Sequence, residues 1–218
     1  MMHKSLVMPH ISLASTRANM YDFDVLLTCH NRLELTIACV NALYENTKRF
    51  SFRLTVLDDS TDLTPEYFER LSKEKDNIQY LHPEILFKNV DEMLNWGLAK
   101  TDCPYIVAVV NNCRVEPEWI GSSLKIMELN PKAAVVCIKV VKSNGLIESA
   151  GVLLFDNAIR NLGLDDPGHR YSLCYQVDAV GGVGWLLRRE AIKAPFDWSY
   201  YLPFGGLEDI DFCLGLKE

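Results

Sequence analysis

The sequence predicts an α/β, Rossmann-like fold: a single domain with a mixed, mostly parallel central sheet flanked by helices. Two observations carry this. From residue 23 to about 130, short continuous apolar runs alternate with segments of helical periodicity, and strands buried on both faces between crossover helices build parallel sheets. After residue 133 the pieces "AAVVCIKVV", "GVLLF" and "AVGGVGWLLRR" are strand-like with few helices between them, and should pair in a mixed fashion to finish the same sheet. The 218 residues, 49% of them hydrophobic, suffice for one sizeable core.

The elements follow in order. "FDVLLTC" (23–29) reads as a buried strand, and "ELTIACVNALYENT" (34–47) places Leu35, Ile37, Ala38, Val40, Leu43 and Tyr44 on one helical face. "FRLTVLDDS" is a second strand ending on acids. "TPEYFERLSKE" starts a helix with Thr64 as N-cap and Pro65 at the first position. "IQYLH" is a short third strand, "VDEMLNWGLAK" a third helix and "YIVAVV" a fourth strand. "WIGSSLKIMELN" then carries Ile120, Leu124 and Met127 on one side of a fourth helix. Residues 1–20 are expected to be an appendage.

Composition excludes several classes. A net charge of −7 without a Lys/Arg run argues against a nucleic-acid partner. The seven cysteines lack CxxC spacing, which points to a reduced, cytoplasmic chain without a zinc site. No apolar run reaches the roughly 18 residues of a transmembrane segment, and the N-terminus lacks the apolar stretch of a signal peptide. The first glycine is Gly97, so the N-terminal half has neither a P-loop nor a GxGxxG turn, which need glycines just after an early strand.

In such a sheet ligands bind beyond the carboxyl ends of the strands. The residues there are Thr28 and Asn31, then Asp58 and Asp59, then Asn111 and Asn112. The acids of "DDSTD" have a local role open to them as well, accepting hydrogen bonds from turn amides.

On these motifs the chain resembles the inverting glycosyltransferases of family 2, which have the A-type (GT-A) nucleotide-sugar fold. "DVLLTCHNR" resembles their first strand and its turn, "LTVLDDSTD" their acidic second-strand end, and "LNWGLAK" their N-x-G-x-x-x-A helix. "YIVAVVNNCRVEPEWI" is similar to the strand, metal motif and V-x-P-x-W that follow. "GLIESAGVLLF" resembles a hairpin of the rhamnosyltransferase-like branch, and "VGGVGWLLRREA" with "GGLEDIDFCLGL" the late glycine strand and the Glu-Asp acceptor motif.

The resemblance implies a nucleotide-binding half (21–130) and an acceptor-binding half (131–218) of one domain. It implies transfer of a sugar from a UDP, dTDP or GDP donor to a glycan or other hydroxyl acceptor, with inversion. Asp209 takes the place of the general base, where an acid also serves as a helix cap. Thr28, Asn31, Asp59, Asn89, Asn111 and Asn112 fall at nucleotide-binding positions. Trp185 and Glu208 fall on the acceptor side, where Trp185 is equally readable as core. A carboxylate at Asp59 suits the imide or amide N–H of uracil, thymine or guanine.

The family's metal-binding aspartate falls at Asn112, and its partner acid at Val110. A manganese or magnesium ion prefers anionic oxygens, and an amide offers a neutral carbonyl. Three outcomes stay open: an enzyme working without metal, one binding metal weakly through Asn112 and the donor phosphates, and a catalytically inactive nucleotide-sugar-binding module. Only nine residues follow Asp209, whereas the family usually continues to a further metal-ligating histidine. A minimal form, or a truncated chain or the N-terminal module of a longer one with further domains, is expected.

Overall fold

The structure is a computed structural model that describes residues 20–84, 87, 89–156, 158–182, 184–196 and 207–216, with only the backbone of Asp91. The appendage (apart from Met20), Lys88 and the aromatic segment 197–204 with Gly205 and Gly206 lie outside the described residues.

In chain order the elements are β1 (Phe23–Cys29), α1 (Leu33–Asn46), β2 (Phe52–Asp58), α2 (Thr64–Glu74), β3 (Ile78–Leu81), α3 (Val90–Leu98), β4 (Tyr105–Val110) and α4 (Gly121–Leu129). There follow β5 (Val135–Cys137), β6 (Val140–Val141), β7 (Ile147–Ser149), β8 (Val152–Phe155), β9 (Ala158–Asn161), β10 (Trp185–Arg188) and α5 (Glu208–Gly215). The main sheet has six strands in the order β3-β2-β1-β4-β10-β5. Its first four are parallel, and β10 runs antiparallel to both β4 and β5.

Alternation along the strands divides the core into two layers. Val25, Leu27 and Val56 face one side, where they meet Cys39, Val40 and Leu43 of α1, Phe68 of α2, and Leu124 and Met127 of α4. Leu26, Leu57, Ile106 and Ala108 face the other, against Met93, Leu94 and Leu98 of α3 and Ile210 and Cys213 of α5. The predicted helical face of α4 is confirmed, with Ile120, Leu124 and Met127 all buried.

Four expectations need correction. The face α1 buries is Thr36, Cys39, Val40, Ala42 and Leu43, whereas Leu35 and Ala38 of the predicted face are exposed. The strands after residue 133 do not all finish the main sheet: β6–β7 and β8–β9 form separate two-stranded ribbons. "GLIESAGVLLF" is accordingly not one hairpin but parts of both, divided at Gly151. That residue has φ +109, and an added Cβ would lie 2.6 Å from Val177 Cγ1, so the bend requires glycine. Thr64 is the first helical residue of α2 rather than its cap, and the Asp62 carboxylate accepts from the Thr64 amide at 2.9 Å.

Gly97 lets α3 lie close against the sheet. A Cβ there would sit 2.6 Å from Leu57 Cδ1 and 3.3 Å from Leu26 Cδ2, both on fully buried side chains. Overpacking costs about 1–3 kcal/mol, against a helix-propensity gain of about 1 kcal/mol for alanine. Gly97→Ala is therefore expected to destabilise by about 1 kcal/mol, read as a lower urea midpoint at unchanged slope.

Among the described residues no helix is long and apolar enough to cross a membrane. None of the seven cysteines is in a disulfide.

Candidate active site

The parallel register sets where the chain leaves the sheet. Cys29 of β1 lies opposite Asp58 of β2, and Thr28 opposite Val110 of β4. Backbone pairing continues one step further: the Asp59 amide donates to Cys29 O at 3.2 Å and the Asn111 amide to Thr28 O at 3.0 Å. Three polar strand ends thus emerge side by side. They border a cleft of about 420 Å3, lined by Thr28, Asp59, Asn89, Asn111 and Asn112 of the predicted set, with His30, Phe87 and Met93 beside them.

The neighbouring acids have different tasks. Asp58 is fully buried, and its carboxylate accepts from the Ser60 amide at 3.0 Å and the Tyr80 hydroxyl at 3.0 Å. It holds the turn. Asp59 instead faces the cleft, where His30 Nδ1 lies 2.8 Å from its Oδ1. An ionised carboxylate only accepts, so Nδ1 carries the proton.

Asn31 does not line the cleft. With φ +57 it turns the chain away from β1, its amide donates to Ser60 Oγ at 2.7 Å, and its Oδ1 accepts from the Thr61 and Asp62 amides. It staples the β1 turn to the β2 turn. Asn111 lines the cleft, but its side-chain amide donates to Asn31 O at 2.7 Å and Thr36 Oγ1 at 2.9 Å, so both amide hydrogens are committed. Asn89 caps α3, accepting from the Glu92 amide at 2.9 Å. The first turn of α3 therefore presents the positive end of the helix dipole to the cleft. Asn112 is exposed, and Cys113 Sγ lies 3.9 Å from its Oδ1.

Asp209 stands outside this cleft but at the same end of the sheet. Trp185 of β10 pairs with Ala108 of β4, and following that antiparallel register backward carries Gly182 toward the Asn111 end. The Gly182 amide donates to Asp209 Oδ2 at 2.6 Å. Burial pushes the Asp209 carboxyl up to about 6; the Gly182 bond opposes this, and the Glu208 charge adds to it. Oε2 of Glu208 is buried with no hydrogen-bond partner among the described residues.

Trp185 is 2% exposed. Its ring packs against Phe196 at 6.0 Å, and its Nε1 donates to Gly182 O at 3.2 Å. Of the two readings left open for it, the structure places it in the core, where it braces the Gly182 turn.

Sequence reasoning passed over His30, Phe87 and Met93. The signal for His30 was present, since it directly follows the apolar run of β1.

Metal-binding capacity can be tested on the donor atoms. The end of β4 offers apolar Val110, a committed Asn111 and one neutral amide at Asn112, a set that does not fit a hard divalent cation. Asp24, Asp102 and Cys103 bring ligand atoms within 4.8 Å of one another. The Arg53 guanidinium already bonds both acids, at 2.6 Å and 2.5 Å, and Asp24, near the start of β1, lies at the sheet end away from the cleft. A second hollow of about 330 Å3, beside Asn95, Leu98 and Arg189, is also away from the cleft.

The sheet order and strand-end cleft define the GT-A architecture. The fold superposes on S. aureus TarS 1-349 with a TM-score of 0.61 at 17% identity, covering 89% of this chain and 55% of that one. It superposes on GalNAc-T7 with UDP, GalNAc and Mn2+ with a TM-score of 0.68 at 13% identity, covering 90% and 40%. The mannosyltransferase PcManGT from Pyrobaculum calidifontis, in complex with GDP-Man and Mn2+, gives a TM-score of 0.56 at 14% identity, covering 82% and 48%. The chain thus spans about half or less of the length of each. The chain belongs to Glycosyl transferase family 2, whose model it matches over residues 24–196. No curated protein matches it.

Proposed function

We propose that the protein transfers a sugar from a nucleoside-diphosphate donor to a hydroxyl acceptor with inversion of configuration. The observation that carries this reading is the convergence at one sheet end of the cleft holding Thr28, Asp59, Asn89, Asn111 and Asn112 with Asp209, a carboxyl raised to about 6. Family membership and GT-A neighbours bound to UDP, UDP-GlcNAc or GDP-Man support the donor class.

In this reading Asp59 accepts a nucleobase N–H, and the first turn of α3 faces the diphosphate with its partial positive charge. Asp209 removes the acceptor hydroxyl proton, and that oxygen forms the new bond to the anomeric carbon. The bond to the diphosphate oxygen breaks on the opposite face, and the nucleoside diphosphate leaves with the electron pair. Glu208, next to Asp209, belongs to the acceptor side in this reading. A rhamnosyltransferase-like, deoxyhexosyl specificity, a cytoplasmic location and the division at residue 130 stay within this proposal.

A thermal-shift panel tests it. At least one of UDP, dTDP and GDP should raise Tm by several degrees at a hundredfold excess over Kd, with or without manganese, since β4 ends on amides. Asp59→Ala should weaken that nucleotide by about 10- to 100-fold, the worth of a hydrogen bond to a charged group. Silence from all three nucleotides would refute the reading. The Asn111–Asn112 pair also favours a second reading, an inactive nucleotide-sugar-binding module. It binds the same ligands but gives no turnover, with or without Asp209.

A further inference from the structure

We infer that His30 selects the donor's base: by covering one oxygen of Asp59 it makes the cleft a site for uridine or thymidine diphosphates and disfavours guanosine diphosphates. This rests on the reading of the cleft as a nucleotide site.

Asp59 is largely enclosed, its side chain 10% exposed, and the imidazole of His30, 69% exposed, stands over Oδ1 at 2.8 Å. Oδ2 accepts no side-chain hydrogen bond among the described residues, so it is the oxygen left for a ligand. A uracil or thymine imide presents one N–H between two carbonyls, and one acceptor satisfies it. Guanine presents two parallel donors, N1–H and the 2-amino group, which match both oxygens of a carboxylate in the bidentate manner. With Oδ1 covered, one guanine donor would enter the cleft unpaired, and an unpaired buried donor costs more than a hydrogen bond is worth.

The backbone around His30 is held in place although its ring is exposed. On one side the Cys29 carbonyl accepts from the Asp59 amide at 3.2 Å. On the other, the Asn31 amide is bound to Ser60 Oγ at 2.7 Å and the Asn31 carbonyl to the Asn111 side chain at 2.7 Å. Residues 31 and 32 both have positive φ, 57° and 62°, so the chain turns away at once and leaves His30 projecting beside Asp59.

Calorimetric titration of the full chain with UDP, dTDP, GDP, CDP and ADP tests the inference. UDP and dTDP should bind at least about tenfold more tightly than GDP. His30→Ala, which frees Oδ1, should narrow that ratio to within about threefold by strengthening GDP. His30→Asn carries its amide nitrogen as far from the backbone as Nδ1 and can donate to the same oxygen, so it should keep the preference. GDP binding as tightly as UDP, a base without an imide binding best, or a ratio indifferent to His30→Ala would overturn the inference while leaving the nucleotide site standing. Absence of binding by all five would overturn both.

Discussion

Asp209→Asn is expected to lower sugar transfer by a hundredfold to ten-thousandfold, the usual span for losing a general base, while nucleoside-diphosphate affinity stays within about twofold. In the proposed mechanism the carboxylate is needed only to take the acceptor proton, and Asp209 is not among the residues lining the strand-end cleft. Its raised carboxyl adds a pH signature. Only the ionised form is a base, so the wild-type rate should rise with pH through about 6 and level off above it.

Stability should run the other way. The folded Asp209 carboxyl titrates at about 6 against an ordinary value of 3.8, so the folded state holds this proton more tightly than the unfolded state. Stability contributed by the protonated form is complete below about 3.8 and lost as pH rises to about 6. The loss above that range is about 3 kcal/mol at most. Asparagine keeps an oxygen for the Gly182 amide and removes the charge. The inactive variant should therefore melt higher than the wild type at pH 7.5, and the difference should close near pH 4. A variant that melts lower at pH 7.5 would contradict a carboxylate held ionised against its burial.

Arg53→Ala carries the largest expected cost in stability. Arg53 and Asp24 are directly opposed on β2 and β1, joined by two bonds of 2.6 Å and 3.0 Å, and Asp24 is fully buried. Removing the guanidinium leaves a carboxylate in the interior that keeps the Cys103 amide, at 3.1 Å, but has lost both bonds to its cation. Breaking a buried pair from one side costs about 3–5 kcal/mol, a fall in Tm of about 10 °C for a chain of this size. The paired change Arg53→Met with Asp24→Leu removes both charges and should restore most of the loss. If Arg53→Ala melts like the wild type, the pair contributes nothing.

The parallel part of the fold was legible because its signals are local. Each of β1, β2 and β4 is an apolar run ending abruptly on polar residues, and that boundary located the cleft. The antiparallel part was less so. Nothing within "WLLRR" says that it pairs with β4, residues far earlier, or that "GVLLF" joins a ribbon of its own, since long-range register is fixed by neighbours and not by periodicity. The direction of a polar side chain is likewise outside the sequence. Asn111 and Asn112 are identical residues in succession, yet one amide is turned inward onto Asn31 and Thr36 while the other is exposed.

The insertion of β10 between β4 and β5 also bears on how the chain acquires its function in time. β1 to β4 can associate as soon as residue 110 is available, but β4's outer edge has no partner until residues 185–188 arrive. Such distant pairing slows folding, and a bare strand edge invites association in the interval. The strand that covers this edge also carries the Gly182 turn into position to meet Asp209. Closing the sheet and bringing the Gly182 turn to Asp209 are therefore a single late event, and a chain interrupted before it holds the strand-end cleft without the proposed base beside it.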